Sequence, residues 1–289
     1  METLNLLTDY LTEKQSIAAA IKDLHVTSSW QWYQRYSRFA TNLGLAFPDF
    51  SARQQMLHFK RFVLNRQLCF LDEQYSDAVI CRSDGAPGVP GMTSPLAVIA
   101  TFHTGSYRLL IHRLVKAGIP VTLPVSRAVR QRQEADYRAI LRSSLLPADA
   151  LQVIEAEHPA AGLQLMRALR GGRTVVGYLD GNLGSGVGTH LLSVPFFATR
   201  LRVRTGLAWL AAKAGVPFTG VICTRQSDGA INWETLPFGS HTMRENPAVF
   251  SESCTRKMYE RLCSVLSKEP WQWDQWPYLH ESFSEIARK

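Results

Sequence analysis

LAVIATFHTGSYRLL, residues 96–110, is the stretch that decides the predicted fold. Residues 97–100 are apolar and in part β-branched, which predicts a buried strand. A turn that contains Gly and Ser follows, and residues 108–116 are then helix formers. Open α/β sheets bind their ligands where strands end and helices begin. His103, in this turn, is therefore the first candidate for a functional residue; the alternative is a histidine that only supports a capped helix.

Composition and charge indicate a globular protein with an anionic partner. The chain has 289 residues, of which 46% are hydrophobic and 19% charged, as in ordinary globular proteins. Its net charge of +8 favours an anionic partner, such as a phosphate-bearing substrate, an acidic carrier protein or an anionic membrane surface. Nucleic acid would suit the charge equally well. We expect no nucleic-acid partner, however, because zinc-finger spacing, ribonucleoprotein aromatic motifs and a dense basic arm are all missing.

The cysteines and the N-terminal sequence indicate the compartment. The five cysteines are odd in number, widely spaced and without a CxxC pair, which predicts free thiols and neither a disulfide framework nor a metal site. The first residues lack the basic start and apolar core of a signal peptide. No run of 18 apolar residues occurs. We therefore expect a cytoplasmic protein whose membrane contact, if any, is peripheral to the inner membrane; the oligomeric state is left open.

The order of predicted elements divides the chain into three parts. Residues 1–82 are predicted as a helical N-terminal arm, whose aromatic residues favour core packing over a lipid-facing surface. Residues 83–95, rich in Gly and Pro, form a linker. Residues 96–289 form an α/β body with a mixed, mainly parallel sheet flanked by helices. Its predicted strands are 97–101, 119–125, 151–155, 174–179, 217–224 and 231–236, and its predicted helices are 106–117, 126–141, 160–169, 203–214 and 247–266.

Several catalytic motifs are missing from the chain. Ser106 is not in a G-x-S-x-G nucleophile elbow, and no cysteine lies at a strand-to-helix turn. The glycine-rich loop 180–188 lacks both the G-x-G-x-x-G spacing and a Walker lysine. Two interpretations of this loop stay open. It is either a flexible surface loop or the place where Asp180, at the end of a strand, faces the same crevice as His103.

Four motifs carry a resemblance to a known family. HTGSY, GYLDGN, VPFFATRLRVRTGLAWLAAKAGVPFTGV and PWQWDQWPY follow one another along the chain. In this order they resemble the late lipid A acyltransferases, the lauroyl/myristoyl transferase branch of the lysophospholipid acyltransferase superfamily, over roughly residues 50–278. The resemblance implies a glycerol-3-phosphate/lysophospholipid acyltransferase-like fold. It also implies acyl transfer from a thioester of acyl carrier protein or coenzyme A to a hydroxyl or amine. No metal or resident cofactor is implied, since the thioester is a co-substrate.

The resemblance also implies roles for individual residues. His103 would be the general base, and Gly105 would let the backbone approach the thioester. The helix amides after His103 could polarise the thioester carbonyl. Beside the resemblance, we expect Asp180 to act with His103 as the catalytic pair, either orienting the base or binding the acceptor. The expected substrate contacts are Gly105, Ser106, Tyr107, Arg108, Asn182, Arg200, Arg204 and Thr205, with Tyr107 as a pocket wall and Arg200 and Arg204 in a cationic rim.

The sequence departs from the family pattern at two points. Arg108 lies five residues after His103, where the family has a carboxylate that orients the imidazole. Asp180 or a backbone carbonyl would then take over, or the base is lost, while Arg108 would hold an anionic group. The membrane-spanning anchor of the lipid A enzymes is also missing, which favours a soluble or carrier-tethered acceptor in lipid or secondary-metabolite biosynthesis. The alternatives are a thioester hydrolase that uses the same histidine and a non-enzymatic module that binds lipid or a carrier protein.

Overall fold

The computed structural model of the chain describes residues 2–82, 89, 96–143, 146–181, 191–241 and 246–282. The predicted linker, apart from Val89, lies outside the described residues, and so does most of the glycine-rich loop. Among the described residues, no helix combines the length and the apolar character needed to cross a membrane.

A six-stranded sheet forms the centre of the molecule, and a two-stranded sheet lies apart from it. The strands are β1 (Val98–Thr101), β2 (Val121–Val125), β3 (Leu151–Glu155), β4 (Thr174–Tyr178), β5 (Leu191–Phe196), β6 (Thr199–Arg204), β7 (Pro217–Arg225) and β8 (Ile231–Ser240). The order across the large sheet is β3-β2-β4-β1-β7-β8. Its first five strands run parallel, and β8 pairs antiparallel with β7 through a short hairpin. The predicted α/β class with a mixed, mainly parallel sheet is therefore confirmed.

Helices flank the sheet and precede it in the chain. The α-helices are α1 (Glu2–Lys22), α2 (Trp30–Ala46), α3 (Ala52–Gln74), α4 (Ser76–Arg82), α5 (Leu109–Lys116), α6 (Arg127–Ser143), α7 (Ala161–Arg170), α8 (Gly206–Ala214) and α9 (Pro247–Leu266). Short 3₁₀ turns cover Val26–Ser28, Pro270–Gln272 and Trp276–Ser282. Local sequence explains several helix ends: Ser51 and Gln54 form a reciprocal capping box before α3, and Asn246 caps α9, which has Pro247 in its first turn.

The two faces of the large sheet are buried in two separate apolar clusters. Along β1, Val98 and Ala100 face one cluster and Ile99 faces the other, as the two-residue period of a strand requires. The N-terminal helices contribute to both clusters: Phe39 and Phe59 are buried in the first, and Leu68 belongs to the second. The aromatic residues of this helical region therefore supply core as well as surface.

The prediction of a helix over 203–214 is partly wrong. Residues Thr199–Arg204 form strand β6, which pairs antiparallel with β5 in the two-stranded sheet, and α8 begins only at Gly206. Along β6, Leu201 and Val203 are buried, while the alternating Arg200, Arg202 and Arg204 are exposed. This alternation is the two-residue signature of a half-buried strand.

The pairing of β1 with β4 places the candidate residues. Thr101 pairs with Tyr178 at the carboxyl ends of these two parallel strands. His103 and Asp180 each lie two residues beyond this pair, so the register brings them to the same level above the sheet. The order of strands in the chain does not reveal this, because β2 and β3 come between β1 and β4.

Candidate active site

His103 and Asp180 form a direct side-chain pair. Nδ1 of His103 lies 2.8 Å from Oδ1 of Asp180, and the backbone N–H of His103 donates to Oδ2 at 3.0 Å. The Asp180 carboxylate is fully buried, whereas the His103 side chain keeps 19% of its surface exposed. The carboxylate therefore binds the inner nitrogen of a ring whose outer part reaches solvent.

The Trp-rich segment near the C-terminus completes the surroundings of this pair. Nε1 of Trp273 donates to Oδ2 of Asp180 at 2.7 Å. The backbone N–H of Asp274 donates to the carbonyl of His103 at 2.8 Å, and the N–H of Gly105 donates to the carbonyl of Gln272 at 3.1 Å. The segment thus pairs with the histidine turn through main chain and side chain together.

Two tyrosines hold the plane of the imidazole. The ring of Tyr178 stacks on His103 with centroids 4.3 Å apart, and Tyr107 meets it edge-on at 4.7 Å. Burial raises the pKa of Tyr107 well above its ordinary value, so its hydroxyl stays protonated near neutral pH. Within the part of the chain that the structure describes, no hydrogen bond uses Nε2 of His103.

A cavity of about 590 Å³ opens beside the imidazole. It lies between the carboxyl ends of the strands and the helices α7 and α8. Its charged and titratable lining residues include His103, Asp274 and the arginines Arg66, Arg108 and Arg204. Elsewhere its wall is largely apolar, with Leu123, Val125, Leu165, Leu207, Trp209 and Leu210. A volume of this size, with an apolar wall and few polar groups, is typical of a ligand site.

One comparison with known proteins gives a match. The family model of bacterial lipid A biosynthesis acyltransferases covers residues 155–284 of this chain. This part of the chain matches an acyltransferase family. It contains three of the four motifs, so the predicted resemblance is confirmed over these residues, and it supports acyltransferase activity and a link to lipid biosynthesis. A search of curated proteins found no match to the chain.

The matched residues of the acyltransferase family include Asp180, Trp273 and Asp274 but stop short of the histidine turn. His103 therefore enters the site through its contacts with these residues. The contacts are the 2.8 Å pair with Asp180 and the main-chain bond from Asp274.

Arg108, at the acidic position of the family pattern, is paired inside the protein. Its Nη1 lies 2.7 Å from Oε2 of Glu73 on α3, and both side chains are largely buried. The ring of His112, on α5, lies 3.8 Å from the same carboxylate. The anion that Arg108 holds in the structure is Glu73, and the expectation that it holds a substrate anion stays a prediction. Arg108 still forms part of the cavity wall.

Ser106 does not face the cavity as expected. Its hydroxyl is fully buried, donates to Asp72 and accepts from Arg225, which also pairs with Asp72. Tyr10 of α1 donates to the other oxygen of Asp72 at 2.7 Å. This cluster fastens the histidine turn to α1, α3 and β7, so the expected substrate contact of Ser106 is replaced by a structural one.

Gly105 is required for packing. It has a φ of +54°, and a Cβ at this position would lie 2.8 Å from the carbonyl oxygen of Cys223 on β7. Its N–H is also taken by Gln272. The glycine therefore allows strand β7 to pack against the turn, whereas the sequence predicted that it would allow a thioester to approach. The amides of Leu109 and Leu110, at the start of α5, donate to carbonyls of the turn, which leaves neither of them to polarise a substrate carbonyl.

The remaining predicted residues are divided between cavity and surface. Arg204 lines the cavity, whereas Arg200 donates to Ser193 at 3.0 Å across the β5–β6 hairpin. Thr205 is buried just before α8. Asn182 lies outside the described residues. Of the two arginines Arg200 and Arg204, Arg204 is therefore the one that lines the cavity.

Four residues of the site were not predicted from the sequence: Tyr178, Trp273, Asp274 and Arg66. Asp274 lines the cavity, and its Oδ1 lies 3.5 Å from Nε of Arg66. Burial raises the pKa of Asp274 above its ordinary value, while Arg66 opposes this shift. The motif PWQWDQWPY contains two of these residues, but its position late in the chain gave no sign of which turn it would contact.

The cysteines near the site are poor nucleophiles. Burial raises the pKa of the Cys223 thiol to about 12 and that of Cys69 further still. Since the thiolate is the nucleophilic form, neither residue is suited to carry an acyl group.

Proposed function

We propose that this protein transfers an acyl group from a thioester to a hydroxyl or amine acceptor, with His103 as general base. The observation that carries the proposal is the orientation of the imidazole. Its inner nitrogen is bound to the buried Asp180 carboxylate, and the ring forms part of the wall of a cavity of about 590 Å³. A histidine held in this way can take a proton at the ring nitrogen that the carboxylate leaves free.

Asp180 determines which nitrogen acts as the base. A carboxylate accepts a hydrogen bond from Nδ1–H, and the neutral ring then carries its lone pair on Nε2. Nε2 takes the proton of the acceptor as the acceptor oxygen or nitrogen attacks the thioester carbonyl. The tetrahedral intermediate collapses with cleavage of the C–S bond, and the departing thiolate receives the proton from the imidazolium. The histidine and the carboxylate are thereby restored.

The cavity wall supports a thioester with an apolar acyl chain. Leucine and valine side chains from β2, α7 and α8 can cover hydrocarbon, while Arg66 and Arg204 bring positive charge to the cavity wall. The phosphates of coenzyme A and of a phosphopantetheine arm are both anionic, and Arg pairs well with phosphate. We infer that the donor is one of these two thioesters and that the acceptor is soluble or carried on a protein.

The test is an intact-mass and chromatographic screen of purified protein. Acyl-CoA and acyl-carrier thioesters of several chain lengths are offered with hydroxyl and amine acceptors. We expect an acylated acceptor from the wild-type protein and a rate lower by about 10²- to 10⁴-fold in H103A. The matched control is H25A, because His25 is exposed and lies outside the cavity wall.

Three results would contradict the proposal. Release of free acid at the same rate with and without acceptors would indicate a hydrolase. Equal rates for H103A and the wild-type protein would remove the histidine from the reaction. Binding of the thioester without any turnover over the whole panel would indicate a lipid- or carrier-binding module.

A further inference from the structure

We propose that Trp273 is the positioning residue of the site: its indole N–H fixes the Asp180 carboxylate, which in turn holds His103 as the Nδ1–H tautomer. The catalytic meaning of this proposal rests on the proposed function. The positioning itself is a property of the resting protein and can be measured without any substrate.

The hydrogen bonds of Asp180 engage both of its oxygens. Nδ1 of His103 lies 2.8 Å from Oδ1, and Nε1 of Trp273 donates to Oδ2 at 2.7 Å. The backbone N–H of His103 is shared between the two oxygens, at 3.0 Å from Oδ2 and 3.3 Å from Oδ1. The carboxylate is fully buried, and the basic side chain it contacts within the described ranges is the His103 ring, which is neutral as the Nδ1–H tautomer. The two side-chain donors therefore hold different oxygens.

Trp273 is a rigid donor because contacts of both its ring and its backbone fix its position. Its side chain is fully buried, and its ring packs 5.1 Å from that of Trp276 and 5.2 Å from that of Phe196. Its backbone pairs with Thr104 in the histidine turn. The indole cannot follow a rotating carboxylate, so the carboxylate must keep the orientation that the indole sets.

The consequence reaches His103 through the rotation of Asp180. Without the indole, the donors left to the carboxylate are the ring and the backbone N–H of His103. Because the χ2 torsion of an aspartate is broad, a carboxylate that has lost the rigid donor on Oδ2 can turn away from the ring. If Oδ1 leaves Nδ1, nothing selects the Nδ1–H tautomer, and the ring can place its proton on Nε2 instead. A protonated Nε2 has no lone pair for the proton of an acceptor.

The indole N–H of Trp273 donates to Asp180, and the other titratable and charged groups around the imidazole have partners of their own. Tyr178 stacks on the ring from β4, and Tyr107 meets it from its own turn. Asp274 lies on the C-terminal segment beside Arg66 of α3, and Arg108 is paired with Glu73. Because none of these pairs uses the indole, a change in the ring caused by Trp273→Phe is attributable to Asp180.

Trp273→Phe removes the donor and keeps an aromatic ring, and Trp276→Phe is the matched control. Trp276 is also fully buried, and its Nε1 donates to the carbonyl of Pro270, away from the site. The two variants therefore lose comparable volume and one buried hydrogen bond each. Melting temperatures of both are recorded to show that they fold.

The primary measurement is the tautomer of His103 by NMR in protein labelled with ¹⁵N-histidine, at an alkaline pH. The His103 signals are assigned by their loss in H103A. We expect a protonated Nδ1 and an unprotonated Nε2 in the wild-type protein and in W276F. In W273F the two nitrogens should show averaged shifts of a tautomer mixture. In the thioester assay, W273F should lose about ten-fold in kcat with KM within two-fold, whereas W276F should stay near wild type.

Two results would overturn the proposal. One is a wild-type ring protonated on Nε2, which needs no variant to detect. The other is a tautomer that is the same in W273F and W276F. Should W273F not fold, the indole N–H of Trp273 in the wild-type protein is compared with that in D180N: a marked shift supports the contact, and an unchanged resonance contradicts it.

These results distinguish a failure of the positioning role of Trp273 from a failure of the proposed acyl transfer. A tautomer change in W273F with no thioester turnover in the wild-type protein would keep the positioning role and remove the acyl transfer. Turnover by the wild-type protein with an unchanged tautomer in W273F would do the reverse.

Discussion

The histidine turn has a buried aspartate on each side, and the two differ in their partners. On the cavity side, Asp180 binds the ring of His103 and the indole of Trp273. On the inner side, Asp72 pairs with the buried guanidinium of Arg225 and accepts from Ser106 and Tyr10. Both carboxylates have no exposed surface. Burial by itself therefore does not tell a catalytic carboxylate from a structural one.

The partner of each carboxylate makes the difference. Asp72 faces a permanent cation, so its charge is compensated and its contribution is to hold α1, α3, β7 and the turn together. Asp180 faces a ring that reaches solvent and can exchange a proton. A buried ion pair is costly to break, whereas a carboxylate bound to neutral donors can lose its charge with a smaller effect on folding.

Replacing each aspartate by asparagine should affect different quantities: D180N should lower thioester turnover, and D72N should lower stability. We expect the effect of D180N to be the larger. Two donors, Trp273 Nε1 and the His103 backbone, hold Oδ2, so the amide oxygen of the introduced asparagine should occupy that place. Its NH₂ group would then face Nδ1 of His103 and force the proton onto Nε2. We expect thioester turnover to fall by about 10²- to 10⁴-fold, with the free energy of unfolding within about 1 kcal/mol of wild type. Kinetics and urea denaturation measure the two quantities. Full turnover in D180N would remove Asp180 from the reaction.

D72N should cost stability and leave the chemistry intact. The guanidinium of Arg225 would remain buried without its carboxylate, which typically costs about 3–5 kcal/mol in the free energy of unfolding. Urea denaturation measures the loss, and the turnover of the folded protein at low temperature should stay near wild type. E234Q is the matched control, since Glu234 pairs with Arg261 at a half-exposed position and should cost less than about 1 kcal/mol. Equal losses in D72N and E234Q would contradict the comparison.

G105A tests how tightly the turn is packed against β7. Alanine at a positive φ costs roughly 1–2 kcal/mol, and the contact of its Cβ with the Cys223 carbonyl adds strain, for a total of about 3 kcal/mol. G118A is the control, because Gly118 also has a positive φ but no atom within 4 Å of the added Cβ. Thermal unfolding should show the larger loss for G105A. A loss no larger than that of G118A would mean that the turn can shift away from the strand.

D274N should give the smallest effect, and its sign depends on pH. The folded-state pKa of Asp274 is raised above its ordinary value of 3.8, mainly by burial. Ionisation of Asp274 therefore lowers the free energy of unfolding as the pH rises from below 3.8 through the folded-state pKa. Asparagine avoids this loss because it cannot ionise. We expect D274N to melt about 1–3 °C higher than wild type at pH 7 and at the same temperature near pH 3. A lower melting temperature at pH 7 would show that the ion pair with Arg66 outweighs the cost of burial.

Sequence alone predicted those parts of the site that depend on local order. The apolar run before His103 and the position of Asp180 after another such run placed both residues at the carboxyl ends of strands. Local patterns were less reliable where an apolar and a basic residue alternate: residues 199–204 were assigned in part to a helix, although their two-residue period was present. The contact of Arg108 with Glu73 was also not predicted, because the two residues are 35 positions apart in sequence.

The sequence by itself determined the alternation of strands and helices, the histidine turn and the family that residues 155–284 match. These follow from residue order, since periodicity and motifs are local properties. Only the tertiary structure decided that β4 lies beside β1 and that Trp273 reaches Asp180 across 93 residues of sequence. The physical reason is that strand pairing and buried hydrogen bonds select partners by position in space. For this site, that selection separates the carboxylate bound to the imidazole from the one that holds the turn in place.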